Sequence, residues 1–253
     1  MQGVFSALNF TILGSVLAVS AIPLLGIALF SVSRQTVQRL LLPLVSFSTG
    51  ALLGDVFLHI IPEMGNGGGE LRQGSLVVLI GMLFSFCIEK FIHWHHCHIV
   101  PSEHHCHPVG IMSLVADTLH NTVDGMLIAG SFLVSIPVGI ATTLAVVLHE
   151  IPQEISDYVL LLYSGFSRSR ALFWNCVSGI AAFIGALATI VAAGLTTHLS
   201  EFLLAFAAGN LLYIAGTDLL PELHKDTHAG RAVLQLVLIS AGIGLMYALT
   251  FVI

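Results

Sequence analysis

Residues 137–163 read PVGIATTLAVVLHEIPQEISDYVLLLY, a stretch long and apolar enough to cross a bilayer but broken in its middle by His149-Glu150-Ile151-Pro152-Gln153-Glu154, with Asp157 a turn later. An uncompensated charge at membrane depth costs on the order of 2.5 to 3.5 kcal/mol on insertion scales, so such groups are kept for a function. The segment before it carries a second polar run, His120-Asn121-Thr122-Val123-Asp124-Gly125. These two interruptions govern how the rest of the chain is read.

The surroundings are those of a membrane protein. Of 253 residues 56% are hydrophobic and 9% charged, against about 25% charged in an average soluble chain, and the mean hydropathy is +0.96. At about 20 apolar residues per crossing this length allows roughly eight helices and no separate soluble module. The expectation is one all-α polytopic domain over residues 1–253. Met1-Gln2-Gly3-Val4 has no basic run of the kind that opens a cleaved signal, so the first segment is expected to stay as a helix. The net charge of -6 identifies no partner, and no nucleic acid is expected.

Turn signals and charges divide the chain into Val4–Ser31, Leu40–Pro62, Ser75–Ile92, Pro108–Val134, Pro137–Tyr163, Ala171–Thr196, Glu201–Pro221 and Ala232–Ile253. Arg34, Arg39, Lys90, Arg168, Arg170, Lys225 and Arg231 fall at odd-numbered connections, and only Arg72 falls on the other side. The positive-inside rule then makes the odd connections cytoplasmic and puts both termini outside, in a cell or inner membrane.

Residues three and four apart share a helix face. Asp117, His120, Asn121 and Asp124 therefore form one stripe on the fourth segment, while His149, Gln153 and Asp157 form a row on the fifth, with Glu150 and Glu154 in an adjoining row. Nitrogen and oxygen ligands facing each other across two helices call for a divalent cation, which removes the repulsion between carboxylates. Pro152 adds a freed carbonyl near Leu148, and the slack is expected to be taken up by a cavity or metal. Asp55, His59 and Glu63 on the second segment, and Asn210, Thr217, Asp218 and Glu222 on the seventh, repeat the helical spacing. Of these, Asp55, His59, Asp218 and Glu222, with Asp117 and Asp157, are expected along an ion route, whose outward half passes Asp218.

Between the third and fourth segments, His93-Trp94-His95-His96-Cys97-His98 and Glu103-His104-His105-Cys106-His107 bring seven of the thirteen histidines into residues 93–107. Imidazole and thiolate suit Zn²⁺, and the spacing matches no structural zinc module. A cytoplasmic metal-collecting loop follows, with Cys97 and Cys106 reduced. Cys87 and Cys176 lie in apolar segments as small hydrophobes.

With these residues the chain resembles the ZIP (Zrt-, Irt-like protein) family of divalent metal transporters along nearly its whole length. H-N-x-x-D at His120–Asp124, H-E-x-P-x-E at His149–Glu154, the histidine loop after the third helix, and the segments Gly54–Glu63 and Tyr213–Glu222 carry the resemblance. It implies eight transmembrane helices in a 3+2+3 arrangement with the outer trios as inverted repeats, a common frame for alternating access. It also implies a binuclear midplane site: His120, Asp124, His149 and Gln153 around one ion, Asn121, Asp124, Glu150 and Gln153 around the other. The activity implied is uptake of Zn²⁺ into the cytoplasm, with Fe²⁺, Mn²⁺ and Cd²⁺ as further cargo, no cofactor and no catalysis. The lipid bilayer is the other partner, with a homodimer left open. Many relatives carry histidine where this chain has Gln153, whose neutral amide oxygen is a weaker, harder ligand and bears on zinc preference. The rival reading is a zinc-dependent intramembrane metalloprotease or hydrolase, because His149-Glu150 begins like H-E-x-x-H. That motif needs a second histidine at the position of Gln153.

Overall fold

A computed structural model describes residues 2–28, 34–66, 71–94, 108–193, 199–226 and 228–252, and every regular element among them is helical. The helices are α1 (Gln2–Ser20, continued by a 3₁₀ turn at Ile22–Leu24 and by Leu25–Ala28), α2 (Arg34–Asp55, a π-helical turn Val56–Ile60, then Ile61–Asn66), α3 (Leu71–Trp94), α4 (Pro108–Val134), α5 (Ile136–Tyr163), α6 (Arg168–Gly179 and Ala181–Ala193), α7 (Leu199–Tyr213, a π-helical stretch Ile214–Leu219, then Leu220–His224) and α8 (Ala229–Leu249). Most extend a few residues past the apolar runs, because charged ends such as Arg34 and Arg72 continue a helix beyond the hydrocarbon. Residues 95–107 of the histidine-rich loop, with His95, His96, Cys97, His98, His104, His105, Cys106 and His107, lie outside the described residues, as does the side chain of His93.

Seven stretches among the described residues are long and apolar enough to cross a membrane. The exception is α4, whose ends coincide with the expected segment but whose Asp117, His120, Asn121 and Asp124 lower its hydropathy. Large apolar side chains on α3 (Leu76, Leu79, Leu83) and α8 (Val233, Leu236, Val237) are more than half exposed. Bands of this extent belong in lipid rather than water. The chain is an integral, multi-pass, all-α membrane protein.

Two apolar clusters set the arrangement. One joins Leu52, Val56 and Ile60 of α2 to Val123 and Leu127 of α4, Ala145 of α5, Ala207 and Leu211 of α7, and Met246 of α8. The other joins Ile12 and Val16 of α1 to Ile128 and Phe132 of α4, Val146 of α5, and Ala182 and Ala186 of α6. Only α4 and α5 contribute to both, so their polar stripes lie in the interior of the bundle.

Three helix pairs approach backbone to backbone through reciprocal glycines. A Cβ on Gly50 of α2 would lie 2.0 Å from the Ile239 carbonyl oxygen of α8, and one on Gly242 of α8 would lie 2.3 Å from that of Phe47. Gly81 of α3 and Gly209 of α7 abut the carbonyls of Phe206 and Val78 in the same manner, and Gly125 of α4 and Gly185 of α6 abut those of Ala182 and Thr122. Without a hydrophobic drive between helices in lipid, close backbone packing of this kind holds a bundle together.

Local chemistry fixes the helix ends around the site. Ser135 caps α5 through its hydroxyl and the Val138 amide at 3.3 Å. At the other end Gly165, with φ +89°, follows the C-cap Ser164. Its N–H bonds Leu162 and that of Phe166 bonds Leu161, the paired closure that requires a left-handed residue. Inside α5, Pro152 leaves the Leu148 carbonyl without its helical donor. The Ser48 hydroxyl of α2 donates to that oxygen, so a neighbouring helix takes up the slack expected to fall to a cavity or metal.

Candidate metal centre

The two stripes meet. His120 and Asp124 from α4 and His149 and Glu150 from α5 bring four ligand atoms within 4.8 Å of one another. His120 Nε2 lies 3.3 Å from His149 Nε2, 3.3 Å from Glu150 Oε1 and 3.7 Å from Asp124 Oδ2. His149 Nε2 lies 3.2 Å from Asp124 Oδ2 and 3.6 Å from Glu150 Oε1. Zinc bond lengths of about 2.0–2.2 Å put the corners of a tetrahedral shell about 3.3–3.6 Å apart. The spacing therefore suits one ion at the centre.

The surroundings point the same way. Asp124, His149 and Glu150 are buried, and no hydrogen bond satisfies either carboxylate. Two buried carboxylates without donors are costly unless a cation supplies the missing charge. His149 Nδ1 stands 3.1 Å from the Ala145 carbonyl. A proton there donates to that oxygen and leaves the Nε2 lone pair facing the other three ligands, the outer-sphere arrangement usual for metal-binding histidines. The His120 side chain is 20% exposed, so the group is open on one side.

One helical turn toward Pro108 and Tyr163 lies a second level of different chemistry. Asn121 Nδ2 donates to Asp117 Oδ1 at 2.8 Å and to its carbonyl at 3.1 Å. Glu154 accepts through Oε2 from Asn175 Nδ2 of α6, and Asp157 accepts from Ser113 at 2.8 Å. Glu154 is thus engaged by α6 and stands apart from the four-residue group. Asn121 turns its amide to Asp117. Gln153 is half-buried on α5 and has no hydrogen bond to the four.

The remaining expected positions divide by helix. Asp55 and His59 of α2 are buried with 3.5 Å between Oδ1 and Nδ1, and Thr142 of α5 lies beside Asp55. Asp218 is exposed, accepts from Thr217 at 3.0 Å, and lies within electrostatic range of His120 and His149. Because α7 runs into the connection that carries Lys225 and Arg231, Asp218 belongs to the basic end of the bundle. If that end is cytoplasmic, Asp218 stands on the inward half of a route and Asp55 on the outward half. Glu222 is 54% exposed and paired with Lys225 at the helix end. Asn210 accepts from Ser85 of α3 at 2.6 Å, a helix-to-helix bond of the adhesive kind.

Asn175 is the residue that sequence reasoning passed over. It is buried, and its signal is a lone amide between Trp174 and Cys176 in an apolar helix, with no polar companion at helical spacing to draw attention to it.

Known proteins are similar to this chain over most of its length. The sequence pattern of the family described as ZIP Zinc transporter matches residues 6–110 and 98–250. The zinc transporter ZIP13 of Pongo abelii is 35% identical over 80% of this chain and 65% of its own length. The zinc transporter YKE4 of Saccharomyces cerevisiae is 31% identical over 80% of this chain and 69% of its own. A ZIP13 homolog of Drosophila melanogaster is 30% identical over 84% and 78%. The chain thus spans about two thirds to three quarters of the length of these relatives. On this likeness the chain belongs to the ZIP zinc transporter family.

Proposed function

We propose that the chain carries divalent metal, zinc foremost, across a membrane through the group formed by His120, Asp124, His149 and Glu150. The observation that carries the reading is this cage of two imidazoles and two unsatisfied carboxylates inside a membrane bundle, spaced for one tetrahedral cation. The relatives bear the name zinc transporter, which agrees with the donor set. Two neutral imidazoles and two carboxylates sum to −2, the complement of Zn²⁺, and imidazole favours borderline metals over Ca²⁺ or Mg²⁺.

The positive-inside bias supports cytoplasmic connections at the α7–α8 end and termini outside, and the family resemblance supports uptake of metal toward the cytoplasm. His120 and the exposed Asp218 lie on that side of the cage. Eight crossings in a 3+2+3 order with inverted outer trios are supported by the glycine pairs, because exchanging α2 with α7 and α3 with α8 turns the α2/α8 contact into the α7/α3 contact. The π turns of α2 and α7, each ending two residues before a Pro-Glu pair, obey the same exchange. Loop residues His93 to His107 collect metal released inward. Bilayer lipid surrounds the bundle, and particle mass in detergent tests the homodimer. The protease alternative has no support, since Gln153 stands where its second histidine is needed.

Metal flux into proteoliposomes tests the proposal. An Asp124→Ala/His149→Ala double variant is expected to lose uptake by about 100-fold or more, as removal of two of four ligands requires. Equal Zn²⁺ accumulation by the wild type and the variant rejects the reading. Gln153→His is expected to raise the preference for Zn²⁺ over Mn²⁺ by roughly tenfold, and an unchanged competition profile removes Gln153 from metal choice.

A further inference from the structure

The donor that holds Glu154 does more than join two helices. Glu150 and Glu154 lie one turn apart on the same face of α5, and a helical side chain leans toward the N-terminal end of its helix. Glu154 therefore leans back toward the level of the cage, and it is in electrostatic range of Glu150. At 2% exposure its carboxylate has no bulk water to turn to. What holds it aside is Asn175 of α6, wholly buried, whose amide donates both to Glu154 Oε2 and, at 3.3 Å, to the Glu154 backbone carbonyl. Asn121 of α4 stands beside Glu154 too, but its amide also serves Asp117 twice. Asn175 is itself fixed in place. Its own carbonyl accepts from Ser178 at 2.8 Å, and the Gly125–Gly185 contact meshes α6 with α4, the helix that carries His120 and Asp124.

We infer that Asn175 sets the metal preference of the cage by holding Glu154 out of it. With Glu154 aside, the cage offers two imidazoles and two carboxylates, donors whose charge matches Zn²⁺ and whose number matches its tetrahedral shell. A freed Glu154 would add a third carboxylate and one more negative charge. More oxygen and a higher coordination number favour harder cations of the Mn²⁺ class. The drive for that exchange is burial: without its donor the carboxylate is left uncompensated, and the nearest cation is the cargo one turn away. Asn175 touches no metal itself and is a positioning residue that acts through Glu154. The inference rests on the transport reading and adds to it what limits the donor set.

Competition between Zn²⁺ and Mn²⁺ for flux into proteoliposomes carrying the full chain is the test. Asn175→Leu removes the donor while keeping the branched shape, and it is expected to lower the preference for Zn²⁺ over Mn²⁺ by about tenfold or more, the effect typical of groups that orient a ligand. Glu154→Gln added to Asn175→Leu is expected to restore the wild-type preference, because a neutral amide cannot supply the extra negative charge. Glu154→Gln alone is expected to leave the preference where it was. A purely structural role for Asn175 has no such rescue: uptake of both metals falls together, and Glu154→Gln does not repair it. The inference is overturned if Asn175→Leu leaves the ratio unchanged, if the double variant stays shifted, if Glu154→Gln alone shifts it, or if Asn175→Leu and Asn175→Ala both fail to fold in detergent chromatography. Failure of the transport reading looks different, since the wild type then moves neither metal, and the ratio of Zn²⁺ to Mn²⁺ bound in equilibrium dialysis still reports on Asn175.

Discussion

α2 and α7 carry nearly the same device in opposite settings. In each, a π turn ends two residues before a Pro-Glu pair, and a potential ligand stands three residues before the proline: His59 in α2, Asp218 in α7. His59 is 7% exposed, with Asp55 buried beside it, whereas Asp218, Thr217 and Gly216 are all exposed. Because the two helices run in opposite senses through the bundle, one device serves each side of the cage. On the proposed transport reading, the closed device and the open one would correspond to a state sealed at the α2 end and accessible at the α7 end. Alternating access asks for the reverse pattern in the other state.

The comparison can be broken most severely at the packing shared by the two halves. Gly50→Leu and Gly209→Leu each drive a side chain into a facing carbonyl, at an overpacking cost of about 1–3 kcal/mol or more, and both are expected to abolish the folded protein in detergent chromatography. A folded, active Gly209→Leu chain beside a misfolded Gly50→Leu chain denies the equivalence of the halves. A smaller effect sharpens the contrast between the devices. In a background with the four cysteines replaced by serine, Asp218→Cys is expected to react with a water-soluble thiol reagent roughly ten times faster than His59→Cys, since reaction follows access. Equal rates remove the closed-and-open reading. The smallest effect concerns the helix end. The Glu222–Lys225 pair is exposed and screened, worth about 0–1 kcal/mol, so Glu222→Gln is expected to leave thermal stability and zinc uptake within about twofold. A large loss of uptake places Glu222 on the route after all.

Much of this was legible in residue spacing. The stripes on α4 and α5 follow from i, i+3 and i, i+4 periodicity, and two facing stripes are enough to anticipate a cage. Partner choice was not legible, because it depends on which helices adjoin. Glu150 stands in one group with Asp124 and both histidines. Glu154 is drawn away by Asn175, twenty-one residues along the chain on another helix. Ser48 claims the Leu148 carbonyl across a hundred residues. Single polar residues of this sort have no periodic signature, and their roles appear only once the neighbouring backbone is in place. The π turns escaped for a related reason: a proline forecasts a disturbed helix, and its surroundings decide the form of the disturbance.

The glycine contacts have a mechanical consequence. Where a Cα hydrogen faces a carbonyl with no room for a methyl group, two rods mesh like gear teeth, and sliding by even one residue, about 1.5 Å of rise, drives other side chains into the gap. α2 with α8, α3 with α7 and α4 with α6 then travel as locked couples, while α1 and α5 lie outside these couples among the described residues. The cage is split across that divide, with His120 and Asp124 on a locked rod and His149 and Glu150 on a separate one. A slide of α5 against the α4–α6 couple would pull the four ligand atoms out of their common shell, so the same displacement that shifts the bundle would also loosen its grip on the ion.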